Sequence, residues 1–129
     1  MKVHVVVEKV AGEKSCSCYV VEKVHPQCGL VGFGRTPDAA VENLLETRNE
    51  YIQDGYDIPE LEIKTQYDLW AFFDKYPVAA TSVAHYAGIN PSLMRQYISG
   101  TKTPSKKRIT QIQTAIREIG KEMASVTLV

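Results

Sequence analysis

Residues 81–100 read TSVAHYAGINPSLMRQYISG, and the fold of the second half of the chain turns on them. The stretch fits two short helices, one over about Thr81–Ala87 and one over about Pro91–Ser99, each closed by a glycine. Where two helices cross closely, a small residue must sit at the crossing, and Ala84 supplies it. The turn between them needs positive φ, which Gly88 adopts without strain. Val83, Ile89, Met94 and Tyr97 fall where apolar side chains would lock the pair, and Gly100 suits a left-handed helix cap. These features fit a DNA-reading helix pair, and they also fit an ordinary αα-hairpin. Charge separates the two readings. Arg95, Lys102, Lys106, Lys107 and Arg108 follow one another with no acid between them, placed as a recognition helix and its following loop would face phosphates.

Downstream, Thr103 and Pro104 are expected to open a long helix striped by Ile109, Ile112, Ile116 and Ile119, with an extended apolar tail over Ser125–Val129. The stripe either closes the helical core or forms a contact between two copies. Palindromic operators require two-fold proteins, so a homodimer through this region is expected. Upstream, a helix over about Tyr67–Lys75 offers Leu69, Trp70, Phe72 and Phe73, read as helix core, and stops near Pro77.

The first half has a different rhythm. Val3, Val5 and Val7 alternate in a strand over Lys2–Val10, with Val6 and Val10 adding apolar weight to its other face, as in a central strand. A second strand follows over Cys16–Val24 and a third over Cys28–Gly34. Thr36, Pro37 and Asp38 then form a helix start, and Val41, Leu44, Leu45, Arg48, Tyr51 and Ile52 recur at helical spacing as far as Asp54-Gly55. Leu61 and Ile63 alternate in a fourth strand. The expected class is α+β: an antiparallel β-β-β-α-β sheet with one covering helix over residues 1–63, then an all-α domain over 64–129.

The chain has 129 residues and zero net charge, but its halves differ. Residues 1–63 sum to −5 and residues 64–129 to +5, which suggests modules facing different partners, one of them a polyanion. No apolar run reaches the ~18 residues of a membrane span. Met1-Lys2-Val3-His4 lacks the features of a secretory signal, and three cysteines form no disulfide framework, so a cytoplasmic location is expected.

Two resemblances follow. Ala84, Gly88-Ile89, Met94, Tyr97, Gly100 and Thr103-Pro104-Ser105 resemble the helix-turn-helix of phage-repressor-type regulators over roughly residues 67–121. The resemblance implies base-edge contacts from Asn90, Pro91, Ser92, Arg95 and Gln96, with Arg95 suited to a guanine edge or to a phosphate. Thr101, Lys102, Lys106, Lys107 and Arg108 complete the expected DNA contacts, the cations by their charge placement. Pro91 departs from the family's usual glutamine. In the first half, Gly34-Arg35-Thr36, Asp38-Ala39-Ala40 and Asn43-Leu44 resemble the HicB antitoxin family, whose N-domain is similar to a truncated RNase H fold. His25-Pro26-Gln27-Cys28-Gly29 replaces that family's Asp-Leu-Pro-Gly. This resemblance implies an antitoxin that binds a small basic RNA-cleaving toxin of the HicA type and represses its own operon. The acidic first half suits a basic partner. Glu42, Glu46 and Glu50 are the candidate toxin contacts, and they also read as the solvated face of a helix.

Catalysis is not expected. An RNase H-type site needs several carboxylates converging on two metals, and the first strands offer Glu8 and Glu22. Cys16, Cys18, His25 and Cys28 have metal-ligating chemistry without a common knuckle spacing, so neither metal nor cofactor is expected. The competing reading is a stand-alone repressor that senses a ligand or metal through the three cysteines.

Overall fold

The computed structural model describes residues 1–129 and is α+β, with one four-stranded mixed sheet and five helices. It divides into two compact units, Met1–Tyr76 and Pro77–Val129.

In the N-terminal unit the strands are β1 (Lys2–Lys9), β2 (Cys16–Val20), β3 (Val31–Gly34) and β4 (Glu62–Tyr67), in sheet order β3-β2-β1-β4. The first three form an antiparallel meander, with Val7 opposite Cys18 and Cys18 opposite Gly32. The expectation of a wholly antiparallel sheet is corrected by β4, which runs parallel to β1 with Val3 opposite Ile63. The reason is the crossover. Helix α1 (Pro37–Gln53) leaves the β3 edge and carries the chain over the sheet, so β4 arrives beside β1 in the same direction. β1 is central, as its two-faced apolar pattern required. β2 and β3 are shorter than the sequence suggests, because residues 21–30 are bends and loop.

Helix α1 begins as expected: the Thr36 hydroxyl accepts from the Ala39 N–H, and Pro37 fills the first turn. It packs almost directly on β3. A Cβ added to Gly32 would lie 2.2 Å from the Ala40 carbonyl oxygen, and one on Gly34 2.5 Å from the Ala40 nitrogen. These two glycines form a smooth strip that admits the helix backbone. Val3, Val5, Val7, Cys16, Cys18, Leu30, Ala40, Leu44 and Ile58 close the core between helix and sheet. Arg48 donates to the carbonyls of Ile58 and Pro59 and pins the returning chain to α1.

The unit ends later than the change of period at Lys64 suggests. β4 continues to Tyr67, and α2 (Leu69–Lys75), capped by Asp68, buries Ala71 in the same core. Trp70 packs partly buried against that core, and Lys75 pairs with Asp38 of α1. The switch to helical spacing therefore marks a helix within the first unit.

Glu22 clasps β1. One carboxylate oxygen accepts from the His4 backbone N–H and the other lies 2.6 Å from His4 Nδ1. The hydrogen bonds from the His4 side chain and backbone hold the Glu22 carboxyl below its ordinary range. A carboxyl lowered by folding contributes stability at neutral pH and loses it as pH falls through the lowered value. Glu22→Gln is expected to flatten the loss of stability below about pH 4.3, the ordinary glutamate value. Urea unfolding of both proteins across that range checks it, and equal acid slopes would disprove the clasp.

The C-terminal unit holds α3 (Ala80–Ala87), α4 (Pro91–Ser99) and α5 (Lys106–Ser125). Val83, Ala84, Ala87, Ile89, Met94, Ile112 and Ala115 are buried in it. The isoleucine stripe is only partly used: Ile112 is buried, Ile116 and Ile119 are half-buried, and Ile109 is exposed. Val126–Val129 lie outside the helix and are exposed. No helix is long and apolar enough to cross a membrane.

Candidate nucleic-acid interface

The α3–α4 pair is built from the residues that the sequence singles out. Ala84, Val83 and Met94 are fully buried, and Tyr97 is half-buried. Gly88 is left-handed, at φ 68°, and the Ile89 N–H returns to the Ala84 carbonyl at 2.9 Å. A Cβ on Gly88 would meet nothing, so the glycine serves backbone conformation alone. Gly100 ends α4 in the same left-handed region, at φ 83°.

The Asn90 side chain caps α4, accepting from the Ser92 N–H at 2.8 Å, and Pro91 occupies the first turn. The proline that departs from the expected family pattern thus fits a helix start, where its missing N–H costs nothing. Arg95 is exposed and donates to the Ser92 hydroxyl at 3.3 Å, which steers its guanidinium toward the helix start. Gln96 is half-buried, and its carbonyl accepts from the Lys102 N–H at 3.1 Å, folding the loop back on α4. Thr101 shares a hydrogen bond with the Ser99 hydroxyl at 2.9 Å.

The start of the last helix is corrected. Ser105, two residues after Thr103, is the N-cap, its hydroxyl accepting from the Arg108 N–H. Thr103 and Pro104 belong to the loop. Lys106 and Lys107 stand exposed in the first turn, where the positive helix end adds to their charge. Arg108 is half-buried and donates to Gln111, which itself donates to the Ala87 carbonyl at the end of α3. Gln111 thus orients Arg108 against the helix pair. No sequence signal marks this role, because Gln111 sits inside an isoleucine stripe.

All ten candidate contacts therefore lie in the C-terminal unit, eight exposed and Gln96 and Arg108 half-buried. The two ion pairs of the chain, His4 with Glu22 and Lys75 with Asp38, involve none of the five cations from Arg95 to Arg108. No family model, curated protein or solved structure matches this chain.

The other candidate sites divide sharply. Cys16 and Cys18 are fully buried, and burial pushes both thiols up to about 11. Cys18 donates to the Ala40 carbonyl, and His25 packs edge-on against Tyr56. Neither these residues nor any others form a group of three or more His, Cys, Asp or Glu able to hold a metal ion. Glu8 is exposed near the end of β1, and Glu22 is engaged by His4. Glu42, Glu46 and Glu50 are exposed on α1 and take part in no ion pair.

Proposed function

We propose that this chain is a HicB-like antitoxin and autorepressor. Its C-terminal unit binds operator DNA as a homodimer, and its N-terminal unit captures a small basic RNA-cleaving toxin of the HicA type. It acts in the cytoplasm and performs no catalysis itself.

The observation that carries the reading is the unpaired cationic run on a helix pair with a left-handed glycine turn. Arg95 to Arg108 place five cations and no acid on and after α4, with Asn90, Pro91 and Ser92 exposed at its start. A helix entering the major groove presents its N-terminal residues to base edges, while the following loop and helix start meet phosphates.

The charge division supports the second half of the proposal. Met1–Tyr76 holds eight Lys/Arg and thirteen Asp/Glu, a net of −5; Pro77–Val129 holds seven and two, a net of +5. The separation follows the unit boundary, and an acidic unit steers toward a cationic protein. The exposed Ile109 on α5, with half-buried Ile116, supplies an apolar strip for a two-fold contact.

The test is direct. The purified full chain is titrated with duplex DNA from its own promoter region and, separately, with a HicA-type protein encoded beside it. Salt-dependent binding of the duplex and inhibition of RNA cleavage are expected. A chain that ignores duplexes in dilute salt overturns the repressor reading, and unhindered cleavage overturns the antitoxin reading.

A further inference from the structure

The side of the sheet turned away from α1 carries a group of exposed apolar side chains at one edge. Gly32 and Gly34 face α1, so Val31 and Phe33, which alternate with them, face the other way. Tyr19 is the cross-strand partner of Val31, and Ser17 that of Phe33, which makes Tyr19 and Phe33 diagonal neighbours on one surface. Phe33 is 62% exposed, Val31 44% and Tyr19 40%. Exposed aromatics grouped this way are the residue type that anchors protein interfaces.

One backbone group of the β3 edge beside this group is already engaged: the Phe33 N–H donates to the Asn43 side chain of α1 at 2.9 Å, which interrupts the edge for strand addition. That bond also locates the carboxylates. Asn43, Glu46 and Glu50 follow at intervals of three and four residues, so they line one flank of α1, the flank that reaches the β3 edge. Glu46 and Glu50 are exposed and unpaired.

We infer that the β3 edge is the docking surface of the N-terminal unit, with Tyr19, Val31 and Phe33 as its apolar floor and Glu46 and Glu50 as its anionic rim. The occupant is a small cationic protein that sets an apolar side chain on the floor and its Lys/Arg against the rim. The inference rests on the antitoxin reading and deepens it. It replaces two simpler modes, strand pairing and the helix face alone, with one composite surface. Charge narrows the occupant. The unit's net charge of −5 repels nucleic acid and the equally acidic N-terminal unit of a second copy, and attracts a basic protein.

The probe is the purified HicA-type protein, titrated into the full-length chain and its variants. Phe33→Thr and Tyr19→Thr keep a strand-forming residue at solvent-facing positions, and Glu46→Lys with Glu50→Lys inverts the rim. The threonine variants are expected to weaken binding tenfold or more, mainly through faster dissociation. The lysine pair is expected to slow association and remove most of its salt dependence. Unchanged thermal unfolding and duplex binding show that the variants are folded. Binding by the parent chain with undiminished affinity in all variants overturns this inference and leaves the antitoxin reading standing. No binding by the parent chain overturns both. If Phe33→Thr instead dissociates a dimer or abolishes binding of single-stranded RNA, the surface belongs to another occupant and the inference falls.

Discussion

Gly32→Ala is expected to destabilise the N-terminal unit by about 3 kcal/mol, the upper range for overpacking a close contact. That corresponds to a fall in Tm on the order of 15 °C for a domain of this size. The new methyl would lie 2.2 Å from the Ala40 carbonyl oxygen and 2.7 Å from the Leu44 nitrogen. Both are backbone atoms of α1, so no rotamer change relieves the clash, and the helix must lift from β3. Lifting it opens the contacts of Leu44 and Ala40, both fully buried. The measurement is made simple by Trp70, the only tryptophan, which packs against the same core and so reports this unit alone. Gly29→Ala is the control, since a Cβ there meets nothing and its melting curve should be unmoved. Equal melting of both variants would show that α1 does not ride on the glycine strip.

Arg95→Ala and the pair Lys106→Ala with Lys107→Ala should damage duplex binding in different ways. Arg95 is exposed on the first turns of α4 and braced by Ser92, and the proposed repressor reading assigns it to a base edge. Its loss should cost about 1–3 kcal/mol on the operator and much less on random duplex, which narrows the discrimination between them. Lys106 and Lys107 stand at the start of α5, where helix dipole and side-chain charge favour phosphate. Removing both should weaken all duplexes alike and lower the slope of log affinity against log salt by about 2. Fluorescence anisotropy at several salt concentrations separates the outcomes. An Arg95 variant that loses operator and random duplex equally would place that guanidinium on phosphate.

Much of this architecture was legible because short-range rules govern it. Thr36 with Pro37, Gly88 and Gly100 each act through their own backbone or the adjacent turn, and each does what its residue type implies. The alternation of Val3, Val5 and Val7 read directly as a buried face. What escaped was long-range. Nothing in Glu62–Tyr67 distinguishes a parallel from an antiparallel neighbour, because the choice is made by where α1 returns the chain. The unit boundary escaped because α2 has helical spacing yet packs on the sheet's core. Asn43 gave no hint that it caps a strand edge, and Gln111 none that it braces Arg108, since both act across elements. The candidate DNA contacts were visible as residue types, while their separation into exposed and half-buried needed the packing of α4 and α5.

The burial of two thiols has a practical side. Cys16 and Cys18 are sealed in the core and held protonated to about pH 11, whereas Cys28 is only half-buried. A thiolate attacks a maleimide, so the folded chain offers a ready-made single attachment point at Cys28. A dye or spin label placed there needs no engineered cysteine and no removal of native ones.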